Sequence, residues 1–328
     1  MSIAEFLASY TFRMVLLGTT VIGVVAGALG CFAYLRKQSL ISDVVSHSAL
    51  PGTLGAFLVA VALDLDGRNL VTLTVGAVVA GTLAAVLTNY IRSHSKLPID
   101  AAMVVVLTVF FGIGMVMMRI ITNGRYKGKG GIQDYLFGNA SHLTQADLIT
   151  SLVVGGIALA IMLALFKEFS LRAFDSAHAT VIGLKGKWLD LALFAAIVAA
   201  TVIGVKAVGL VLMVAFVVMP PATARQWTNS LPSMVVLSAF LGGLGSAIGA
   251  YVSVSAGNVP TGPVIVVVLS VFFLFSLLAA PRRGLVARWI ARNQLRRRRD
   301  DVAARPAAPI PAGAMAAAGE RAEGKARL

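Results

Sequence analysis

Nine stretches of the chain are apolar and about as long as a helix that crosses a lipid bilayer. A spanning α-helix needs about 20 apolar residues, and only helices and closed barrels satisfy every backbone polar group in lipid. The sequence therefore predicts an all-α polytopic membrane protein with eight or nine transmembrane helices, because the boundary between the sixth and seventh stretches is weakly marked. The stretches lie near residues 12–35, 41–63, 70–91, 99–121, 147–166, 188–206, 207–224, 233–255 and 262–280.

The overall composition excludes an ordinary soluble domain. Hydrophobic residues make up 58% of the 328 positions and charged residues only 13%, against about 25% charged in typical soluble domains. The beginning of the chain, MSIAEFLASYTF, lacks a basic region before an apolar core, so no cleaved signal peptide is predicted. The single cysteine, Cys31, excludes an intramolecular disulfide and a multi-cysteine metal site.

The net charge of +14 is distributed as in a membrane protein rather than a nucleic-acid binder. Much of it lies in PRRGLVARWIARNQLRRRRD, directly after the last apolar stretch, where arginines anchor a cytoplasmic end and contact anionic lipid. We expect a transmembrane domain over residues 1–290, and over residues 291–328 a basic and then disordered cytoplasmic tail. An outer N-terminus then places most loop cations inside, although Arg125, Lys127 and Lys129 oppose this scheme. The inner cations are Arg36, Lys37, Arg92, Lys96, those from Lys167 to Lys187, and Arg225.

The second apolar stretch contains an acidic residue and a histidine four positions apart, Asp43 and His47. Positions i and i+4 share one face of a helix, so the carboxylate and the imidazole should point the same way. An ionisable residue inside a bilayer usually faces a cavity or a partner, and this pair would form half of a divalent-metal site. The alternative is a helix-end aspartate near the headgroups, with a histidine that only bonds a neighbour.

Pro51 follows His47 by four residues and has no N–H to bond the His47 carbonyl. One hypothesis is that the kink opens a cavity beside the pair and that this carbonyl helps to bind or relay an ion. An ordinary packing kink is the alternative. Glycines at small-xxx-small spacing, Gly23 and Gly27 in one stretch and Gly245 and Gly249 in another, predict either helix packing or a subunit interface.

Sequence motifs for catalysis are absent. There is no G-x-x-x-x-G-K-[ST] phosphate-binding loop, no H-E-x-x-H and no G-x-S-x-G. We therefore expect a protein that is not an enzyme and that cannot bind nucleotide through a P-loop.

Four motifs together resemble a known family. GCFAYLRKQSLISDVVSHSALPGTLGAFL, KEFSLRAFDSAHATVIGL, GLVLMVAFVVMPPATARQW and NVPTGPVIVVVLSVFFLFSLLAAPRRG occur in the order and spacing found in ABC-3 permease subunits. These are the membrane subunits of bacterial manganese, zinc and iron ABC importers. The resemblance covers roughly residues 12–290, and the loop GGIQDYLFGNASHLTQADL is more similar to the manganese and iron branch.

The resemblance implies a dimeric channel in the bacterial inner membrane with two cytoplasmic ATPase subunits, which would hydrolyse the ATP, and an external metal-binding protein. It assigns Asp43 and His47 to the ion path, with Ser46 at the intervening motif position. No permanently bound cofactor is expected, only the transported metal. A coupling segment over about residues 172–186 would dock on the ATPase. Its motif positions are Phe174, Asp175, Ala179 and Gly183, and His178 departs from the family pattern.

Two questions stay open from the sequence. Oxygen and nitrogen ligands from two protomers suit Mn(II), Zn(II) or Fe(II), with Mn(II) favoured by the resemblance. A secondary transporter driven by an ion gradient is the alternative class, although such proteins more often carry several intramembrane acids on broken helices.

Among the other histidines, we expect His94 at a solvated helix end and His142 in an outer surface loop. Asp100 is expected at a helix N-terminus, where a negative charge is stabilised.

Overall fold

The computed structural model describes residues 9–36, 41–65, 70–126, 143–256 and 259–281, together with Gly284 and Gln294. Every regular element within these residues is an α-helix. In chain order the helices are α1 (Tyr10–Leu35), α2 (Ile41–Ala62), α3 (Leu70–His94), α4 (Ile99–Asn123), α5 (Gln145–Ala164), α6 (Phe166–Phe174), α7 (Ser176–Val181), α8 (Gly186–Val208), α9 (Leu210–Trp227), α10 (Leu231–Ala256) and α11 (Thr261–Ala279).

The nine long helices coincide with the nine apolar stretches, and the prediction of an all-α polytopic membrane protein is confirmed. Seven helices in the described part of the chain are long and apolar enough to cross a membrane, and α8 adds a shorter apolar stretch, Trp188–Val202. The weakly marked boundary between α8 and α9 lies at Gly209. Its φ of +93° is a backbone conformation that favours glycine, so the helix breaks there.

Helix α1 is the most buried of the candidate spans, and small residues let α10 approach it closely. A methyl group added at Gly23 would overlap the Gly242 carbonyl oxygen. The Ser238 hydroxyl donates a 2.6 Å hydrogen bond to the Gly27 carbonyl oxygen. Gly245 and Gly249 face α11 instead, against Leu269 and Ile265. All four glycines singled out from the sequence therefore pack helices within one chain.

A second close approach joins α2 to α3. A methyl group at Gly52 would overlap the Gly76 carbonyl oxygen, and one at Gly76 would overlap the Gly52 carbonyl oxygen. The two backbones are thus in direct contact, as small residues allow between membrane helices. This contact lies only one and a half turns beyond His47 and fixes α2 against its neighbour.

Adding a methyl group at this contact should destabilise the protein. We expect Gly52→Ala to lower the free energy of unfolding by about 1–3 kcal/mol, the usual range for overpacking, because backbone atoms cannot move aside as a flexible side chain can. Gly112→Ala is the matched control, since nothing lies within 4 Å of a methyl group there. Thermal unfolding in detergent would compare them, and equal midpoints for both variants would contradict the close packing.

Three of the predicted inner cations lie together at one end of the bundle. Leu50 and Pro51 of α2 lie against Gly114 of α4, and Gly55 lies near Met117, so these two helices run in the same direction. One cavity at the end of the bundle is lined by Arg36, Arg92 and Arg172, from three separate segments. This arrangement is the one that the positive-inside pattern of the sequence requires.

Candidate functional site

Asp43 and His47 lie together on α2, with the geometry that their spacing predicts. The His47 Nε2 atom is 3.2 Å from the Asp43 Oδ1 atom. The side chains are 15% and 27% exposed, respectively, whereas Val44, Val45 and Ser46 beside them are completely buried. The pair therefore lies on the more open side of this part of the helix, and an ion could reach both side chains from that side.

The surroundings of His47 place the pair near the middle of the bundle. Its ring packs edge-on against Phe111, with 4.8 Å between ring centroids. Phe111 is the central residue of α4, 12 residues or about 18 Å from either end at 1.5 Å per residue. Asp43 is in the first turn of α2, as the helix-end interpretation requires. Asp43 is one turn, or about 6 Å, from His47 and lies nearer than His47 to the end of the bundle where α4 begins.

Two polar atoms, one in the pair itself and one in the residue beside it, have no hydrogen-bond partner in the described part of the chain. They are the His47 Nδ1 atom and the Ser46 hydroxyl oxygen, both of which are buried. An unsatisfied buried polar group costs about 1–3 kcal/mol, so a site that keeps such groups usually has another use for them. The neighbouring Ser48 hydroxyl differs, since it donates a 2.6 Å hydrogen bond to the Val44 carbonyl oxygen.

The described residues of one chain supply only two ligands here. No group of three or more His, Cys, Asp or Glu side chains that could hold a metal occurs among them.

Helix α2 continues through Pro51 to Ala62, and Gly114 of α4 provides the room for the Pro51 ring. The accessory roles assigned to Ser46 and Pro51 remain predictions.

The motif F-D-x-x-x-A-x-x-x-G specifies a short helix with a capping residue at each end. Asp175 is the N-cap of α7, where its carboxylate accepts a 2.8 Å hydrogen bond from the His178 backbone N–H. Ala179 is completely buried in the middle of the helix. Gly183 follows the C-cap with a φ of +85°, a conformation that favours glycine. Each of these three motif positions thus has a structural reason.

The same segment exposes large apolar side chains. Phe174 is 65% exposed, and Val181 and Ile182 at the other end of α7 are also exposed. His178, the departure from the family pattern, is exposed on α7 as well. A helix that is capped at both ends and flanked by exposed apolar residues is a suitable docking surface for another protein. The docking role itself remains a prediction.

Removing the Asp175 cap should loosen α7 without affecting the membrane helices. We expect Asp175→Ala to raise the amide exchange rate over residues 176–183 about fivefold, because loss of an N-cap costs about 1 kcal/mol. Asp175→Asn should leave exchange nearly unchanged, since asparagine caps helices equally well. Hydrogen–deuterium exchange would measure both variants. Equal exchange in Asp175→Ala and the unmodified chain would show that the cap is unimportant.

An ion-pair cluster that the sequence interpretation missed fastens this segment to the bundle. Arg172 of α6 donates two hydrogen bonds to Asp190 of α8, at 2.8 Å from Nε and 2.6 Å from Nη2. Arg36, at the end of α1, bonds the same carboxylate. The hydrogen bonds to Asp190 raise the pKa of Arg172 above its usual range. A methyl group at Gly186 would overlap the Arg172 guanidinium, so this glycine leaves room for the bridge.

Three further singled-out residues lie on other described helices. His94 is exposed at the end of α3, where its ring stacks on Tyr90. Asp100 is in the first turn of α4 and is exposed, as predicted for a helix N-terminus. Cys31 is buried in α1. His142, the cations Lys127 and Lys129, and nearly all of the tail at 291–328 lie outside the described residues.

Comparison with known proteins identifies the family. The model of the ABC 3 transport family matches residues 8–280, most of the chain. The chain belongs to the ABC 3 transport family. The family assignment made from the four motifs is therefore confirmed.

Two named bacterial membrane proteins are clear relatives of this chain. The chain is 38% identical over 286 residues to the manganese transport system membrane protein MntC of Bacillus subtilis, covering 87% of the chain and 65% of that protein. It is 35% identical to the zinc transport system membrane protein TroC of Treponema pallidum, covering 87% of the chain and 94% of that protein. The chain thus spans just under two thirds of the first relative and nearly all of the second.

A solved structure agrees with this assignment. The fold matches a chain of PsaBC from Streptococcus pneumoniae, solved in complex with Fab, with a TM-score of 0.76 and 31% identity. The match covers 89% of this chain and 100% of that chain. The helical arrangement described above is therefore shared with that solved structure.

Proposed function

We propose that this chain is the permease subunit of an ATP-driven importer of a divalent transition metal, in a bacterial cytoplasmic membrane. The observation that carries the proposal is the Asp43–His47 pair, which lies at mid-height in a membrane bundle and is open on one side. Family membership supports an ABC importer. The metals named for the two relatives, manganese and zinc, support a transition-metal cargo.

The chemistry of the pair restricts the cargo. One carboxylate and one imidazole per chain become four ligands when a two-fold axis brings two protomers together. Such a mixed oxygen and nitrogen set suits Mn(II), Zn(II) or Fe(II), and the absence of a thiolate disfavours Cu(I). Mn(II) is our first choice because the first of the relatives is a manganese protein. Since intrinsic affinity favours zinc over manganese, selectivity would come from geometry and from the protein that delivers the ion.

The proposed mechanism divides the work among several subunits. An external binding protein delivers the ion to the paired Asp43 and His47 side chains, with Ser46 and the carbonyl freed by Pro51 as accessory groups. ATP hydrolysis by two cytoplasmic partner subunits then moves the segment from Phe174 to Gly183, which docks on them. The C-terminus lies in the cytoplasm with the coupling segment. The second protomer is either a second copy or a related permease.

Reconstitution tests the whole proposal. Vesicles holding this chain with its cognate ATPase and binding protein should take up Mn(II), Zn(II) or Fe(II) only when ATP is supplied to the ATPase side. A catalytically inactive ATPase is the control. Uptake that continues without ATP and follows an ion gradient would instead identify a secondary transporter.

A further inference from the structure

A cavity of about 340 Å³ lies at the end of the bundle where α1 and α3 end and α4 begins. The residues that line it include the three arginines Arg36, Arg92 and Arg172 and one acid, Asp190. Three positive groups and one negative group leave the cavity with a net charge of +2. A cavity of this charge and size accommodates a singly charged phosphodiester with its first substituents.

The arginines keep unused hydrogen-bond donors. A guanidinium has five N–H donors, and Asp190 has only two oxygens to share between Arg36 and Arg172. Arg92 is exposed and forms no ion pair with any described residue. The side chains of Asn89 and Ser176 add further polar groups to the same wall. The cavity therefore offers an anion several directed donors that its own aspartate does not satisfy.

The cavity continues into an apolar groove of about 210 Å³ between α3 and α8. The two spaces share four lining residues, so they form one amphipathic cleft. Apart from Thr82, the rest of the groove is lined by apolar side chains, of which Val86 and Leu191 are exposed on the outside of the bundle. The shared residues are Ala85, Asn89, Asp190 and Phe194.

We propose that this cleft binds an anionic phospholipid, with the phosphate against the arginine wall and one acyl chain in the groove between α3 and α8. The charge of the cavity selects an anionic headgroup, and basic pockets between transmembrane helices recognise lipid headgroups in this way. The apolar groove distinguishes a lipid from a free phosphate, which would gain nothing from it. The proposal rests on the membrane location in the proposed function, but not on the metal cargo or on ATP.

A lipid bound in this cleft would also link two parts of the protein. Arg172 and Ser176 belong to the segment proposed to dock on the ATPase, whereas Asn89 and Arg92 belong to α3. A phosphate that bonds both walls would bridge the coupling segment to a membrane helix. The anionic lipid would thus reinforce the attachment that Asp190 already provides.

The test is a lipid titration of the purified full-length chain, followed by native mass spectrometry. Phosphatidylglycerol and phosphatidylcholine with identical acyl chains are compared. Arg92→Gln should weaken phosphatidylglycerol binding about fivefold, or about 1 kcal/mol at 1.4 kcal/mol per tenfold change, the contribution expected of one arginine near an anionic lipid. Arg119→Gln is the matched control, because this arginine is also exposed but lies near the opposite end of α4.

A second pair of variants tests the groove. Ala195 is exposed and lines the groove, so Ala195→Trp should fill it and weaken phosphatidylglycerol binding at least fivefold with the arginines intact. Ala160→Trp, on an exposed face of α5, is its control and should change binding less than twofold. Thermal unfolding midpoints would confirm that all variants are folded.

Three results would overturn the proposal. Equal effects of Arg92→Gln and Arg119→Gln would show that only general charge matters. Unchanged binding in Ala195→Trp, together with displacement of the lipid by millimolar inorganic phosphate, would identify a free-anion site. Equal affinity for phosphatidylcholine and phosphatidylglycerol would show that the headgroup charge is not recognised. None of these readouts depends on metal uptake, so failure here is distinguishable from failure of the proposed function.

Discussion

Replacing His47 with alanine is expected to abolish metal uptake while leaving the protein folded. The side chain supplies the only nitrogen ligand of the pair, and a two-fold assembly would lose two ligands at once. Loss of a residue that merely orients a metal ligand already costs 10- to 100-fold in affinity or activity, so loss of the ligand itself should reduce uptake by more than about 100-fold. Asp43→Asn should have a similar effect, because it removes the charge but keeps the shape.

Control variants at other histidine and aspartate positions distinguish loss of a metal ligand from a general effect of such a substitution on uptake. His94→Ala removes an exposed histidine from the end of α3, and Asp100→Asn neutralises an aspartate in the first turn of α4, as Asp43→Asn does in α2. Both controls should retain uptake within about twofold. Uptake of radioactive Mn(II) into the reconstituted vesicles is the measurement. Retained uptake in His47→Ala would keep the transporter class but move the ion path elsewhere.

Neutralising Asp190 is expected to disconnect the coupling segment from the bundle. In Asp190→Asn, Arg36 and Arg172 would face each other without the carboxylate that holds both. Loss of one partner from a fully buried ion pair costs about 3–5 kcal/mol. Because the Asp190 side chain is 27% exposed, we expect a smaller loss of stability, about 2 kcal/mol. In the importer that we propose, ATP hydrolysis should continue, but metal uptake per ATP should fall at least tenfold.

The matched control is Asp64→Asn, which removes the same charge from an exposed turn after α2. Asparagine tolerates the positive φ of 54° at that position, so no strain is added. Removal of one arginine together with the aspartate, as in Arg36→Gln with Asp190→Asn, should recover part of the lost stability. If Asp190→Asn alone left the ratio of transport to hydrolysis unchanged, the cluster would have only a structural role.

The sequence predicted the helices well because the signal for them is strong. A run of about 20 apolar residues has few alternatives to a membrane helix, and nine such runs became nine helices. The boundary at Gly209 was weak because, apart from Lys206, the residues on both sides are apolar. Only the positive φ of the glycine reveals the break, and composition does not encode it.

The candidate site divides into local and tertiary features. The proximity of Asp43 and His47 follows from helical spacing, so the sequence alone predicted it. Asp190 was missed because its partners lie 154 and 18 residues away in the chain, and such pairing depends on tertiary packing. The sequence did contain a signal, namely a lone acid at the start of an apolar stretch that follows a basic segment. The caps of α7 were also readable, as Asp before and Gly after a short helix.

The contact between Gly52 and Gly76 has a mechanical consequence for transport. Two backbones that touch leave no side chain between them to slide or rearrange, so relative motion of α2 and α3 is restricted to tilting about that point. The contact is then the pivot of this tilt, and Asp43 lies nine residues, or about 13 Å, from it along α2. A tilt of only about 10° would move the carboxylate by about 2 Å, a distance comparable to one metal–ligand bond.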